Sequence, residues 1–67
     1  MQLNVSGEVC DCPDGLTVQS WMEYAQIRNP EVALIQVNFK DILRQDWAAV
    51  QLNEGDRIDV LYFLGDS

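Results

Sequence analysis

Residues 57–64 carry apolar side chains on both faces of an extended chain, with Ile58, Val60 and Tyr62 alternating with Asp59, Leu61 and Phe63. A strand with one wet face shows polar groups on that face, so this pattern belongs to the middle of a sheet. A central strand needs neighbours on both edges, and the rest of the chain must supply them. Residues 31–38 contain Val32, Ala33, Leu34, Ile35 and Val37. That short, mostly aliphatic run reads as a strand buried on at least one face. At the N-terminus, Leu3 and Val5 share a face of residues 1–5, and Val9 opposes Cys10 and Cys12 in residues 8–12. Ser6-Gly7 separates the two runs, which predicts a β-hairpin.

Between hairpin and second run lies a helical pattern. Pro13-Asp14-Gly15 is a loop signal, because proline presets φ and glycine accepts φ > 0. Thr17 is a suitable N-cap for a helix running to about Ile27. Val18, Met22 and Ala25 fall at i, i+4 and i+7 on one face, with Trp21 on a flank and Tyr24 further round that flank. Arg28-Asn29-Pro30 stops the helix, since the residue before proline avoids the α region. Further on, Asn38-Phe39-Lys40-Asp41 predicts a turn and Ile42-Leu43 a brief edge strand. Gln45-Asp46-Trp47-Ala48-Ala49 predicts a short helical turn, and residues 52–56 a polar turn. The order β-β-α-β-(short β)-β is an α+β layout, with one main helix across a mixed sheet of four to five strands. No repeat or composition shift divides the chain, so residues 1–67 are expected to form one domain. The last strand is expected to lie centrally, beside the first.

A domain of 67 residues buries only about 60% of the surface that its unfolded chain exposes, which leaves little to wall off a catalytic pocket. The hydrophobic fraction of 48% argues against disorder. No apolar stretch is long enough to span a membrane, and the N-terminus lacks the pattern of a signal peptide, so the expected compartment is cytoplasmic. Eleven acidic residues against four basic ones give a net charge of −7. That charge excludes nucleic-acid backbones and anionic lipid as partners. It suits a basic protein partner, and it equally suits plain solubility.

The chain contains no histidine for general-base work at neutral pH and no glycine-rich phosphate loop. Cys10 and Cys12, on one face of a strand, lie roughly 7 Å apart, which is long for a disulfide. Two thiols make a poor zinc site, and neither has a histidine to activate it. Free thiols used in packing or partly exposed are expected. We expect no enzyme activity, no metal and no cofactor.

MQLNVSGE, DGLTVQS and QDWAAVQLNEGDRIDVL resemble the sulfur-carrier proteins of thiamin biosynthesis (ThiS-like). The pattern falls on Trp47, Leu52, Glu54, Gly55, Asp56, Arg57, Ile58, Asp59 and Val60, and the similarity covers nearly the whole chain. The resemblance implies a β-grasp, ubiquitin-like fold, shared with molybdopterin-synthase small subunits. It further implies a C-terminal carboxylate that an adenylating enzyme activates and that becomes a thiocarboxylate, donating sulfur to thiamin's thiazole. The implied partners are that adenylating enzyme and a thiazole synthase.

Such carriers end in Gly-Gly, because the tail must thread a narrow tunnel close to nucleotide and thiol groups. This sequence ends Gly65-Asp66-Ser67, so a chain ending this way is expected not to work as a sulfur carrier. Phe39 also departs from the family, which has glycine after the asparagine of that turn, and a bulky residue resists φ > 0. These departures support a second reading: a ThiS-like scaffold repurposed, by nature or by design, as a protein-binding module. Its surface would comprise Trp21, Met22, Tyr24, Phe39, Ile42 and Leu43, residue types enriched in interface cores. The target would be another protein or a second copy of the chain. Trp21, Tyr24 and Phe39 are expected to lie on one exposed face.

Overall fold

The computed structural model describes residues 1–28 and 32–62. The strands are β1 (Gln2–Val5), β2 (Glu8–Asp11), β3 (Val32–Val37), β4 (Lys40–Ile42) and β5 (Arg57–Tyr62), with helix α1 (Val18–Tyr24) and a 3₁₀ turn at Arg44–Asp46. They form one sheet in the order β2-β1-β5-β3-β4. β5 is thus central, parallel to β1 (Val5 opposite Ile58) and antiparallel to β3 (Ile35 opposite Val60). This is the mixed β-grasp sheet with one main helix that the sequence predicted. Phe63 and Leu64, expected to continue β5, lie outside the described residues.

Two tight hairpins frame the sheet. In the first, Val5 pairs with Glu8 across Ser6 (φ 52) and Gly7 (φ 95). The Asn4 side chain braces that turn by accepting a hydrogen bond from Gly7 N–H at 2.7 Å. In the second, Val37 pairs with Lys40 across Asn38 (φ 54) and Phe39 (φ 67). Both central residues have positive φ in each case, the conformation whose twist suits two-residue hairpins. The turn is therefore shorter than the sequence suggested. Lys40 and Asp41 already belong to β4, and Leu43 lies beyond it.

Thr17 caps α1, its Oγ1 accepting from Ser20 N–H at 3.1 Å. Two further N–H groups of the first turn find partners in the β4–β5 connection: Val18 N–H donates to Val50 O at 2.9 Å and Gln19 N–H to Trp47 O at 3.0 Å. The helix ends sooner than predicted. Gln26 adopts φ 60, its N–H donates to Glu23 O at 3.1 Å, and Ile27 N–H donates to Met22 O at 2.9 Å. That pair of bonds is a Schellman motif closed by a glutamine in place of the usual glycine.

The buried stripe of α1 differs accordingly. Val18, Trp21 and Met22 are buried, whereas Ala25, past the helix end, is exposed. These three pack with Leu3, Cys12, Val32, Ile35, Val37, Trp47, Leu52 and Ile58. Leu52, read from sequence as part of a polar turn, is a core residue at 1% exposure. Among the described residues every buried side chain is apolar, and no helix is long and apolar enough to cross a membrane.

Candidate protein-binding face

The alternation along β5 divides the molecule into two surfaces. Ile58 and Val60 belong to the core and its margin under the helix. Arg57, Asp59 and Leu61 therefore project from the opposite, outer face. On β3 the register sets Gln36 beside Asp59 and Leu34 beside Leu61. On β4, Asp41 pairs with Gln36 and accepts a 2.8 Å hydrogen bond from its Nε2.

The β3–β4 turn is tied to the start of β5. Asn38 N–H donates to Arg57 O at 2.7 Å, and Arg57 N–H donates to Asn38 Oδ1 at 3.1 Å. Asn38 Nδ2 donates to Asp56 Oδ1 at 3.1 Å. Above this lattice the Arg57 guanidinium lies 5.0 Å from the centroid of the Phe39 ring. Asp59 holds that guanidinium with two bonds, Nε–Oδ2 at 3.0 Å and Nη2–Oδ1 at 3.2 Å. The bond to Asp59 raises Arg57 above its ordinary pKa. Phe39 nevertheless remains 72% exposed.

The six residues expected to share a binding surface do not lie together. Trp21 (3% exposed) and Met22 (2%) are core residues, because the short helix turns its Val18–Trp21–Met22 stripe into the sheet. They cannot contribute an exposed surface. Ile42 is half-buried against the core, and Leu43 is exposed just beyond β4. Tyr24 is exposed but lies over the helix side of the sheet. There it borders a groove of about 300 Å³ with Val5, Cys10, Trp21, Val60 and Tyr62. Phe39 stacks on Arg57, on the outer face. The expected union of Trp21, Tyr24 and Phe39 in one surface is thus corrected: the sheet separates Tyr24 from Phe39.

What the sequence reading missed is the outer row of Arg57, Asp59 and Leu61 with Leu34. The alternation of residues 57–62 held the signal for the first three. Gly65, Asp66 and Ser67 lie outside the described residues. Cys10 and Cys12 are free, the first half-buried and the second buried. Burial pushes the Cys12 thiol above its ordinary pKa, away from nucleophilic use. Among the described residues no group of three or more potential ligands could hold a metal ion.

Two solved structures resemble this fold closely. The crystal structure of the thiamine biosynthesis protein ThiS from Geobacter metallireducens superposes with a TM-score of 0.85 at 23% identity, covering 100% of both chains. An NMR structure of a thiamine biosynthesis protein from the same organism gives 0.81 at 25% identity, covering 100% of this chain and 88% of that one. Comparison with curated protein sequences gives no match. The sequence model of the ThiS family matches residues 3–65, nearly the full length, and the chain belongs to the ThiS family.

Proposed function

We propose that this protein is a carrier scaffold of cytoplasmic thiamin biosynthesis. On this reading it performs no catalysis and presents its C-terminal segment to an adenylating enzyme and then to a thiazole synthase. The observation that carries the reading is the family match over residues 3–65. The architecture supports it. The central strand β5 ends at Tyr62, so the last described residue before the C-terminal segment belongs to the middle of the sheet.

The carboxylate would attack the α-phosphorus of ATP, releasing pyrophosphate and forming an acyl adenylate. A sulfur nucleophile would then displace AMP to leave the thiocarboxylate. In a chain ending at Ser67 the reacting carboxylate would be that of Ser67. Asp66 beside it adds bulk and a negative charge to a reaction already between two anions. The chain in this form is therefore expected not to be activated. The test is mass spectrometry after incubation with the adenylating enzyme, ATP and a sulfur donor. We expect no thiocarboxylate on the unaltered chain and a thiocarboxylate on the Asp66→Gly/Ser67→Gly variant. Activation of the unaltered chain would overturn the expected loss of competence. A glycine-tailed variant that is never adenylated would overturn the carrier reading.

The alternative, a scaffold repurposed to grip another protein, is favoured by a separate observation. Phe39 is exposed and held at φ 67, where a bulky residue carries strain.

A further inference from the structure

Phe39 combines three properties that folding alone does not call for. Its backbone sits at φ 67, which L-residues with large side chains rarely adopt and which glycine enters freely. Its ring remains 72% exposed, so little apolar burial offsets that strain. Its position is nonetheless rigidly set, by the Asn38 bonds to Asp56 and Arg57 beneath it and by the guanidinium at 5.0 Å, itself held by Asp59. The other hairpin solves the same turn problem with Gly7. Strain kept at an exposed, pre-positioned aromatic points to recognition, because a rigid ring loses little conformational freedom on binding.

We propose that Phe39 is the specificity anchor of the outer sheet face, inserting into an apolar socket with a basic rim on the protein partner. The partner is assigned as the adenylating enzyme, which rests on the carrier reading above. The basic rim follows from charge. Arg57 stands next to the ring, but Asp59 pairs with it and Asp41 and Asp56 lie on the neighbouring strand and turn, in a chain of net charge −7. Along β5 the same face continues through Asp59 to the cross-strand pair Leu61–Leu34, toward the end of the chain that the enzyme must reach. Tyr24, on the opposite side of the sheet, takes no part.

The test is calorimetric titration of the purified adenylating enzyme with the unaltered chain and with Phe39→Gly, Phe39→Asn and Tyr24→Ala. Glycine and asparagine both accept the turn conformation, so the fold is kept while the ring is lost. We expect Kd to weaken at least about 30-fold for both Phe39 variants, the size of a hot-spot loss, with Tm close to that of the unaltered chain. Tyr24→Ala is expected to stay within about twofold, well below a hot-spot loss. Raised salt is expected to weaken binding of the unaltered chain, as charge complementarity requires. Phe39 variants that bind within about twofold of the unaltered chain would overturn the proposal. So would a fall in Tm that tracks the fall in affinity, or no binding by the unaltered chain. Adenylation of the glycine-tailed variant, measured alongside, separates the two ideas. If it is adenylated equally well with and without Phe39, the carrier reading stands and the anchor fails. Binding that depends on Phe39 without any adenylation leaves the anchor standing and removes the carrier reading.

Discussion

Four of the described residues other than glycine, Ser6, Gln26, Asn38 and Phe39, have positive φ, and the longest side chains among them are those of Gln26 and Phe39. At Gln26 and Phe39 the chain enters the left-handed region with φ 60 and 67, at a cost of roughly 1–2 kcal/mol each for a non-glycine residue. At Phe39 the cost is partly offset by the ring's contact with Arg57, about 0.5–1 kcal/mol at an exposed site. The two effects separate in a pair of variants. Phe39→Ala removes the contact and keeps the strain. Phe39→Gly removes both. Glycine is therefore expected to be the more stable replacement, by about 1 kcal/mol, the reverse of the usual order inside a strand. Urea unfolding of the two proteins checks this through their midpoints at equal m-value. An alanine variant more stable than the glycine variant would show that Phe39 does not occupy this turn conformation in solution.

At the scale of elements, most of the architecture was legible, because the chain advertises it through periodicity. The two-faced apolar content of residues 57–64 demanded a central strand, and β5 has neighbours on both sides. Ser6-Gly7 marked the first hairpin and Thr17 the start of the helix. The helix end was not legible, since glutamine carries none of glycine's signal for a Schellman closure. The same motif supplies a test: Gln26→Gly is expected to stabilise the fold by about 1 kcal/mol, because the Gln26 position is exposed and only its backbone matters. A lower thermal midpoint for that variant would contradict the motif. The candidate surface was only half legible. The exposure of Tyr24, Phe39 and Leu43 followed from their local settings, but the burial of Trp21 depended on how α1 rolls onto the sheet. The separation of Tyr24 from Phe39 required knowing toward which side the second hairpin leans. The Leu34–Leu61 pair depended on the register shift between Val32 and Leu34, which no local pattern announces.

At the scale of the whole molecule, the start of β1 is the point where several elements are tied together. The α-amino group of Met1 donates to Cys12 O at 2.6 Å and pairs with Asp14 Oδ1 at 2.8 Å. Gln2 N–H donates to Glu54 Oε1 at 3.0 Å, and Gly55 N–H donates back to Gln2 O at 2.7 Å. The amine thus joins the end of the first hairpin to the loop before the helix, beside the turn that launches β5. The hydrogen bond that the ammonium donates to Asp14 is the main reason that this amine titrates above its ordinary value of 8.0, with Glu54 and Asp11 adding to the effect. Cys12, just behind it, is raised above 9.0, mainly by burial. Both folded-state values exceed the unfolded ones, so the folded state holds more protons than the unfolded state at alkaline pH. Their contribution to stability is then complete below about pH 8 and is lost as pH rises through the two raised values. Loss of the ammonium charge also deepens the self-repulsion of a chain already at −7. The urea midpoint is therefore expected to fall steadily from pH 8 to pH 10. Asp14→Asn should flatten the earlier part of that fall by removing the amine's partner, and Cys12→Val the later part by removing the thiol. A midpoint that holds level or rises across this range would show that neither group is linked to folding. A fall unchanged by both substitutions would place its origin elsewhere in the charge distribution.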